Sequence, residues 1–241
     1  MSASGFRNEH QIASELNNKS FNSLSKNFKS FILHLLPTID QHVKINASVI
    51  GGSCKPDLKV TINNKDYFIS IKVGSGNSVH QEPLDDFLVY ISKNCTGSNK
   101  SINDFIAHFI WGDGTLIGNG PASSRLRASE YKKLYHNKLV KLNLFFSKNK
   151  ITILSRALKH GSSGNIPADF LYYGDKNSGI ICNMDKAIKY LSSSSCNSAI
   201  NLGGLSIQAW NRNLNGGTKS EKKRGVIQLK WGSLAKDIPQ I

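Results

Sequence analysis

Acidic residues are scarce in this sequence. Among 241 residues, 16 are Asp or Glu and 31 are Lys or Arg, so the formal net charge is +15 and the isoelectric point is near 9.7. Solubility alone does not require such a surplus of positive charge. It indicates a polyanionic partner, most simply the phosphate backbone of a nucleic acid, although a generally basic protein without such a partner is the alternative.

Long apolar runs and paired cysteines are lacking as well. The longest apolar stretch, residues 31–36, is interrupted by His34 and is much shorter than the roughly 18 residues of a membrane helix. The first ten residues lack the apolar stretch of a signal peptide, so we expect an intracellular protein without a membrane segment. Cysteines occur singly at positions 54, 95, 182 and 196, which predicts reduced thiols and disfavours a zinc site.

Hydrophobic periodicity predicts an α/β protein. In the predicted strand at residues 67–73, Ser70 and Lys72 lie on one face because strand side chains alternate. Helices are predicted at residues 6–17, 21–36, 83–93, 129–144 and 184–192. Strands are predicted at residues 43–49, 58–62, 67–73, 150–155, 168–173, 179–183, 205–210 and 226–231, with a polar loop at 94–101. We expect two parts, residues 1–148 and a β-rich part at residues 149–241, or else one intertwined domain.

Asp57 and Lys72 are the strongest catalytic candidates. Asp57 begins one predicted strand, and Ser70-Ile71-Lys72 lies within the next. Phosphodiester hydrolysis needs a metal ion, a positioned water and neutralisation of developing charge. Asp57 and the Ile71 carbonyl could bind the metal, and Lys72 could hold or activate the water. Oxygen ligands of this kind favour Mg²⁺ over zinc. The alternative is that Lys55-Pro56-Asp57 is an ordinary turn and that Ser70-Ile71-Lys72 is part of an edge strand without a catalytic role.

A second carboxylate must come from elsewhere, because Ser70 cannot supply one. Glu82, just before the next predicted helix, and Glu9, in the first helix, are the candidate ligands. Glu82 could instead cap the helix, and Glu9 could be an ordinary exposed acid. Three neighbouring polar residues could contact DNA or form a polar loop cluster: Asn77, His80 and Gln81.

A glycine-rich basic segment between the last two strands is the candidate recognition loop. Arg side chains can bind guanine with two hydrogen bonds, and Gln or Asn can bind adenine. The candidate base contacts are Gln208, Asn211, Arg212, Asn213, Asn215 and Lys219. Lys222, Lys223 and Arg224 are assigned to phosphates. A solvated hairpin tip is the alternative, and residues 159–164 form a second candidate DNA-facing loop.

The spacing from Lys55-Pro56-Asp57 to Ser70-Ile71-Lys72 resembles the core of type II restriction endonucleases of the PD-(D/E)XK superfamily. The nearest likeness is to a group that includes a monomeric cutter of GCGC sites. Weaker similarity extends over residues 5–13, 51–57, 151–173 and 204–230. The resemblance implies that residues 1–148 form a catalytic core with a mixed central sheet flanked by helices, and that the β-rich C-terminal part at residues 149–241 carries DNA recognition. Members of the group carry an amide residue at the position of Ser70, and other restriction enzymes take a carboxylate from the next helix, which would suit Glu82.

The activity that this resemblance implies is Mg²⁺-dependent hydrolysis of double-stranded DNA at a short specific sequence. It also implies a monomer or weak dimer in a prokaryotic cytoplasm, with a cognate DNA methyltransferase in the same system. Two alternatives stay open. One is a structure-specific repair or recombination nuclease of the same superfamily. The other, suggested by Ser70, is a non-catalytic DNA-binding protein on a decayed nuclease scaffold.

Overall fold

A computed structural model describes residues 3–52, 54–75 and 78–241. The chain divides into two compact units, each built from separate stretches of sequence. The first comprises Met1–Asn77, Leu158–Tyr190 and Ser233–Ile241, and the second comprises Ser78–Ala157 and Leu191–Gly232. This division differs from the predicted boundary after residue 148. None of the helices in the described part has both the length and the apolar character needed to cross a membrane.

The first unit contains a six-stranded mixed sheet. Its strands, numbered in chain order, are β1 (Lys19–Ser20), β2 (Lys44–Val49), β3 (Leu58–Ile62), β4 (Lys65–Lys72), β6 (Phe170–Gly174) and β7 (Gly179–Asn183). They lie in the order β1-β2-β3-β4-β6-β7. Strands β4 and β6 are parallel, and the other neighbours are antiparallel. The mixed α/β fold predicted from the sequence is therefore confirmed.

Helices α1 (Ala3–Leu16) and α2 (Lys26–Leu35) contribute to the core of the first unit, and α8 (Met184–Ser193) and α10 (Leu234–Asp237) follow later in the chain. The Ser25 side chain caps α2 by accepting a hydrogen bond from the Phe28 amide, which satisfies one of the free amides of the first turn. The core consists mainly of aliphatic and aromatic side chains from α1, α2, β2, β3 and β4, including Ile12, Leu16, Phe28, Phe31, Ile45, Leu58, Val60 and Ile69.

The second unit contains a four-stranded antiparallel sheet. Its strands are β5 (Ser78–Pro83), β8 (Ile200–Leu202), β9 (Leu205–Ala209) and β10 (Val226–Lys230), in the order β5-β10-β9-β8. The helices in this part of the chain are α3 (Leu84–Asn94), α4 (Lys100–Trp111), α5 (Ala128–Leu134), α6 (His136–Lys148), α7 (Lys150–Ser155) and α9 (Thr218–Glu221). Inward-facing side chains of β9 and β10 are apolar and buried: Leu205, Ile207, Ile227 and Leu229.

The strand predicted at residues 150–155 is wrong. This segment is helix α7, and a π-helical turn, Arg156–His160, follows it. β-Branched residues suggested a strand, but the buried side chains Ile153, Leu154, Ala157 and Leu158 recur at helical spacing. Burial of this stripe outweighs the weak β-propensity.

Three other segments also differ from the prediction. Helix α4 begins inside the predicted loop at residues 94–101, where the Asn99 side chain caps it by accepting from the Ile102 amide. The predicted loop before Pro83 is strand β5, and Pro83 precedes α3 as its N-cap instead of starting it. The helix predicted at residues 129–144 is two helices, α5 and α6, with a break at Tyr135.

Candidate active site and recognition surface

Asp57 and three consecutive residues of β4 form one polar cluster in the first unit. One oxygen of Asp57, Oδ2, accepts hydrogen bonds from the Ile71 amide at 2.6 Å, Ser70 Oγ at 3.1 Å and Lys72 Nζ at 3.3 Å. The register explains this meeting, because Leu58 pairs with Ile69 across β3 and β4. The residue before Leu58 therefore lies beside residues 70 and 71. The structure brings together these four residues as the sequence predicted.

Ser70 links the two charged groups of this cluster. Its hydroxyl donates to Asp57 and accepts from Lys72 Nζ at 3.1 Å, and Lys72 Nζ also donates to the Ile71 carbonyl at 2.7 Å. Ser70 and Lys72 thus share one face of β4, as expected from strand alternation. A hydroxyl at this position orients the ammonium and the carboxylate without adding a third charge.

Glu9 supplies a second carboxylate to the same cluster. Its side chain on α1 is buried, and Oε2 has no hydrogen-bond partner. Burial and the nearby charge of Asp57 raise the pKa of Glu9 to about 7, although Lys72 opposes the shift. The neighbouring Asn8, in the middle of α1, donates to the Gly174 carbonyl at 3.0 Å. Glu9 is therefore not the exposed helix acid that was its alternative interpretation.

The cluster fits a hard divalent cation. A buried carboxylate oxygen without a partner is costly, and two adjacent carboxylates repel each other unless a proton or cation lies between them. Asp57, Glu9 and the Ile71 carbonyl are oxygen donors of the kind that Mg²⁺ prefers. Only two of these donors are charged. Within the described residues, no three His, Cys, Asp or Glu side chains group as a metal site.

Lys55 is a functional candidate that the sequence analysis did not single out. It stands two residues before Asp57, and burial together with the charge of Lys72 lowers its pKa to about 7. Gly161, which has a φ of +68°, packs against Lys55. A Cβ added at Gly161 would lie 3.2 Å from the Lys55 Cβ. Part of the loop at residues 159–164 therefore packs on Lys55, two residues before Asp57. The only sequence signal was the Lys-Pro-Asp motif itself.

The raised pKa of Glu9 leads to a test of metal binding by thermal unfolding. An acid with a raised folded-state pKa favours folding when protonated, so its contribution is full below pH 4.5 and is lost as the pH rises to about 7. Without metal, we expect the Tm of the Glu9→Gln variant to exceed that of the wild type by a few degrees at pH 8 and to match it near pH 4.5.

Mg²⁺ should raise the Tm of the wild-type protein at pH 8, because cation binding relieves the repulsion between Glu9 and Asp57. The same titration should leave the Tm of Glu9→Gln nearly unchanged. Equal Mg²⁺-dependent shifts in Tm for the two proteins would show that Glu9 does not bind the metal.

Glu82 has a structural role that differs from its predicted one. Its side chain lies in the second unit and is 0% exposed. It accepts hydrogen bonds from Arg156 Nη2 at 2.6 Å and from His80 Nε2 at 2.9 Å. Burial would raise the pKa of Glu82, but the hydrogen bonds from His80 and Arg156 lower it overall. The prediction that Glu82 completes the metal shell is therefore not supported, nor is its reading as a helix cap.

A row of three amide side chains crosses the second sheet. Gln228 on β10 stands opposite both Gln81 on β5 and Gln208 on β9. Gln208 Nε2 donates to Gln228 Oε1 at 2.8 Å, and Gln228 and Gln81 both donate to Ser78 Oγ. Gln81 and Gln208 were predicted as DNA contacts, and Gln228 was not, although strand alternation could have placed it on the same face. Asn77, another predicted DNA contact, lies outside the described residues.

Inward-facing residues account for four of the predicted DNA contacts. His80 is buried beside Glu82. Arg212 Nη2 donates to the Phe109 carbonyl at 2.6 Å, and its guanidinium lies over the Phe109 ring. Asn213 is buried and bonds Gly217 and Glu221, and Arg224 forms ion pairs with Asp113 and Glu221. Arg212, Asn213 and Arg224 stabilise the loop, and His80 bonds Glu82, so the structure does not support direct DNA contacts by these four residues.

Other predicted contacts point outward. Asn215, Lys219, Lys222 and Lys223 are exposed, whereas Asn211 is half-buried and accepts from the Asn213 amide. Lys223 Nζ lies 5.2 Å from the centre of the exposed Trp210 ring. The segment with Lys219, Lys222 and Lys223, called the basic turn below, therefore carries exposed ammonium groups of the kind that contact phosphates.

Comparison with solved structures identifies a DNA-cutting enzyme of similar fold. No family model and no curated protein sequence matches the chain. The crystal structure of restriction endonuclease MspI in complex with its cognate DNA matches with a TM-score of 0.54. The match has 17% identity and covers 85% of this chain and 77% of that chain. The chain thus has a restriction-endonuclease fold, as the resemblance in its sequence implied.

Proposed function

We propose that the protein is a Mg²⁺-dependent type II restriction endonuclease that hydrolyses double-stranded DNA at a short specific sequence. The observation that carries the proposal is the meeting of Asp57, Ser70 and Lys72 beside the partnerless buried oxygen of Glu9. On a nuclease fold, this cluster provides oxygen ligands for a metal ion and, in Lys72, a positively charged side chain at the same place. The MspI structure contains DNA, which supports duplex DNA as the substrate.

Each residue of the cluster has a chemical role in this proposal. Asp57, Glu9 and the Ile71 carbonyl would hold the Mg²⁺ ion, which would supply Lewis-acid chemistry and a water of lowered pKa when bound. Lys72 places its ammonium where negative charge develops on the phosphate, and Ser70 fixes its direction. Lys55 lies close by, and its pKa of about 7 leaves it partly protonated near neutral pH, so it adds to the positive charge that attracts the DNA backbone.

Recognition is assigned to the second unit. Gln81 on β5 and Gln208 on β9 present amide groups, with the buried Gln228 between them, and amide groups can read the edges of adenine. The exposed lysines of the basic turn supply phosphate contacts. We propose that the enzyme acts as a monomer or weak dimer in a prokaryotic cytoplasm, where a cognate methyltransferase would protect host DNA.

Plasmid digestion tests this function directly. Incubation with supercoiled plasmid and Mg²⁺ should give discrete fragments, and sequencing of their ends should give one short recurring site. EDTA should stop the reaction. Smears or cuts confined to DNA junctions would indicate the structure-specific nuclease instead. Retarded but uncut DNA would indicate the non-catalytic protein, the alternative that Ser70 favours.

The amide row and the basic turn should respond differently to mutation. Gln208→Ala should reduce discrimination between target and mismatched duplexes by about 1–3 kcal/mol, because only base-edge contacts carry sequence information. Lys222→Ala should weaken binding to all duplexes equally and lower the slope of log K against log salt by roughly one phosphate contact.

Fluorescence anisotropy with labelled duplexes over a range of salt concentrations measures both effects. Lys176→Ala, an exposed lysine in the first unit, serves as the control for general charge loss. If Lys222→Ala altered site preference while Gln208→Ala changed only overall affinity, the recognition surface would be misplaced.

A further inference from the structure

Residues 113–120, the apolar loop, are held in shape by one buried carboxylate. The Asp113 side chain is buried and accepts hydrogen bonds from the Thr115 amide at 3.0 Å, Thr115 Oγ1 at 2.7 Å and the Gly120 amide at 3.0 Å. It also forms an ion pair with Arg224 at 2.8 Å. A loop fixed at both ends by the same carboxylate has little freedom to rearrange.

Hydrogen bonds from Arg224 connect the apolar loop to the basic turn. Arg224 Nη1 donates to the Gly118 carbonyl at 2.9 Å and to Glu221 at 2.7 Å, and the guanidinium lies over the Trp111 ring. Gly118 packs so closely on that ring that a Cβ there would lie 2.2 Å from it. The apolar loop therefore sits beside the segment that carries Lys222 and Lys223.

The tip of the apolar loop carries two exposed aliphatic side chains. Leu116 is 42% exposed, and Ile117 is 71% exposed, the largest value among the big apolar side chains of the described residues. A single exposed aliphatic residue is ordinary on a protein surface. Here, however, a buried ion pair and several backbone hydrogen bonds hold two adjacent aliphatic side chains away from the core.

We propose that Ile117, supported by Leu116, is an apolar wedge that enters a groove of duplex DNA and presses on one base step. This inference rests on the proposed function. Side chains of this kind partly unstack base pairs and bend the duplex. Because the loop is already ordered, binding does not have to pay for fixing its conformation.

Charge and size favour DNA over a protein partner. The loop is bonded to the turn that carries exposed lysines, and these would grip the phosphates flanking an inserted side chain. Two aliphatic side chains cover far less than the roughly 1,000 Å² that a specific protein interface needs. They match the dimensions of a wedge at a single base step.

Duplexes containing 2-aminopurine test the wedge. Once plasmid digestion has identified the site, the fluorescent base is placed at successive positions of that site, and binding is measured with Ca²⁺ replacing Mg²⁺ to slow cleavage. Wild-type protein should raise the fluorescence severalfold at one step. Ile117→Ala should abolish the rise and weaken binding about tenfold. Ile117→Met should retain most of both effects, whereas Ile117→Thr should lose them.

Leu134→Ala is the matched control, since Leu134 is an aliphatic residue of the same unit with 65% exposure, and it should behave as wild type. Wild-type cleavage and binding without a fluorescence rise at any step would overturn the wedge and leave the proposed function standing. Absence of any duplex binding by the wild type would overturn both. A change in oligomeric mass for Ile117→Ala, with DNA binding intact, would show a protein contact instead and also overturn the wedge.

Discussion

Lys72→Ala should lower the rate of DNA cleavage by about 1,000-fold or more while leaving specific binding within a fewfold of wild type. Nζ of Lys72 bonds Asp57, Ser70 and the Ile71 carbonyl, so its charge lies within the proposed catalytic cluster. Groups that stabilise the transition state more than the bound substrate affect turnover more than affinity. Single-turnover cleavage and gel retardation of the same duplex measure the two quantities separately.

Lys59→Ala is the matched control for charge. Lys59 lies on β3 in the same unit, but its side chain is exposed and pairs with Asp66, so its removal should leave cleavage nearly unchanged. Asp57→Ala should reproduce the loss expected for Lys72→Ala, because it removes one of the two carboxylates proposed to hold Mg²⁺. Cleavage by Lys72→Ala near the wild-type rate would contradict the active-site assignment.

Glu82→Gln should destabilise the protein by about 3–5 kcal/mol, since it leaves the charge of Arg156 buried without its partner. The Glu82 side chain is fully buried, and Arg156 is only 11% exposed. The Mg²⁺ concentration required for half-maximal cleavage should stay the same, because Glu82 contributes to packing in the second unit. Chemical denaturation gives the first quantity, and a Mg²⁺ titration at low temperature gives the second.

Asp104→Asn provides the comparison for an exposed ion pair. Asp104 pairs with Lys100 one turn away on α4, where Lys100 is largely exposed, so the loss should be below about 1 kcal/mol. If Glu82→Gln were as stable as Asp104→Asn but required much more Mg²⁺, Glu82 would be a metal ligand after all.

The meeting of Asp57, Ser70 and Lys72 was predictable because strand geometry alone determines it. Alternation along β4 places Ser70 and Lys72 on one face, and antiparallel pairing with β3 brings Asp57 beside them. The environment of Glu9 was less predictable. Helix periodicity does not tell which acid of α1 is buried, and the cost of that burial is visible only when its neighbours are known.

The misassignments share a physical cause. Strand β5 was missed because its inward-facing residues include His80 and Glu82, which satisfy each other and Arg156 instead of forming an apolar stripe. Arg212 and Arg224 were assigned to DNA because their side chains suit bases and phosphates. A long cationic side chain can equally well turn inward and bond carbonyls or carboxylates, and composition does not show which direction it takes.

The discontinuous build of the two units sets the rules for changing the specificity of this protein by exchange of segments. Replacing everything after residue 148 with the corresponding part of another enzyme would also remove β6, which lies parallel to β4 and pairs Tyr173 with Lys72. Such a chimera would lose a strand beside the proposed catalytic cluster along with the proposed recognition surface. A transplant designed on the structure would instead carry Ser78–Ala157 and Leu191–Gly232 together, leaving the first unit with all six of its strands.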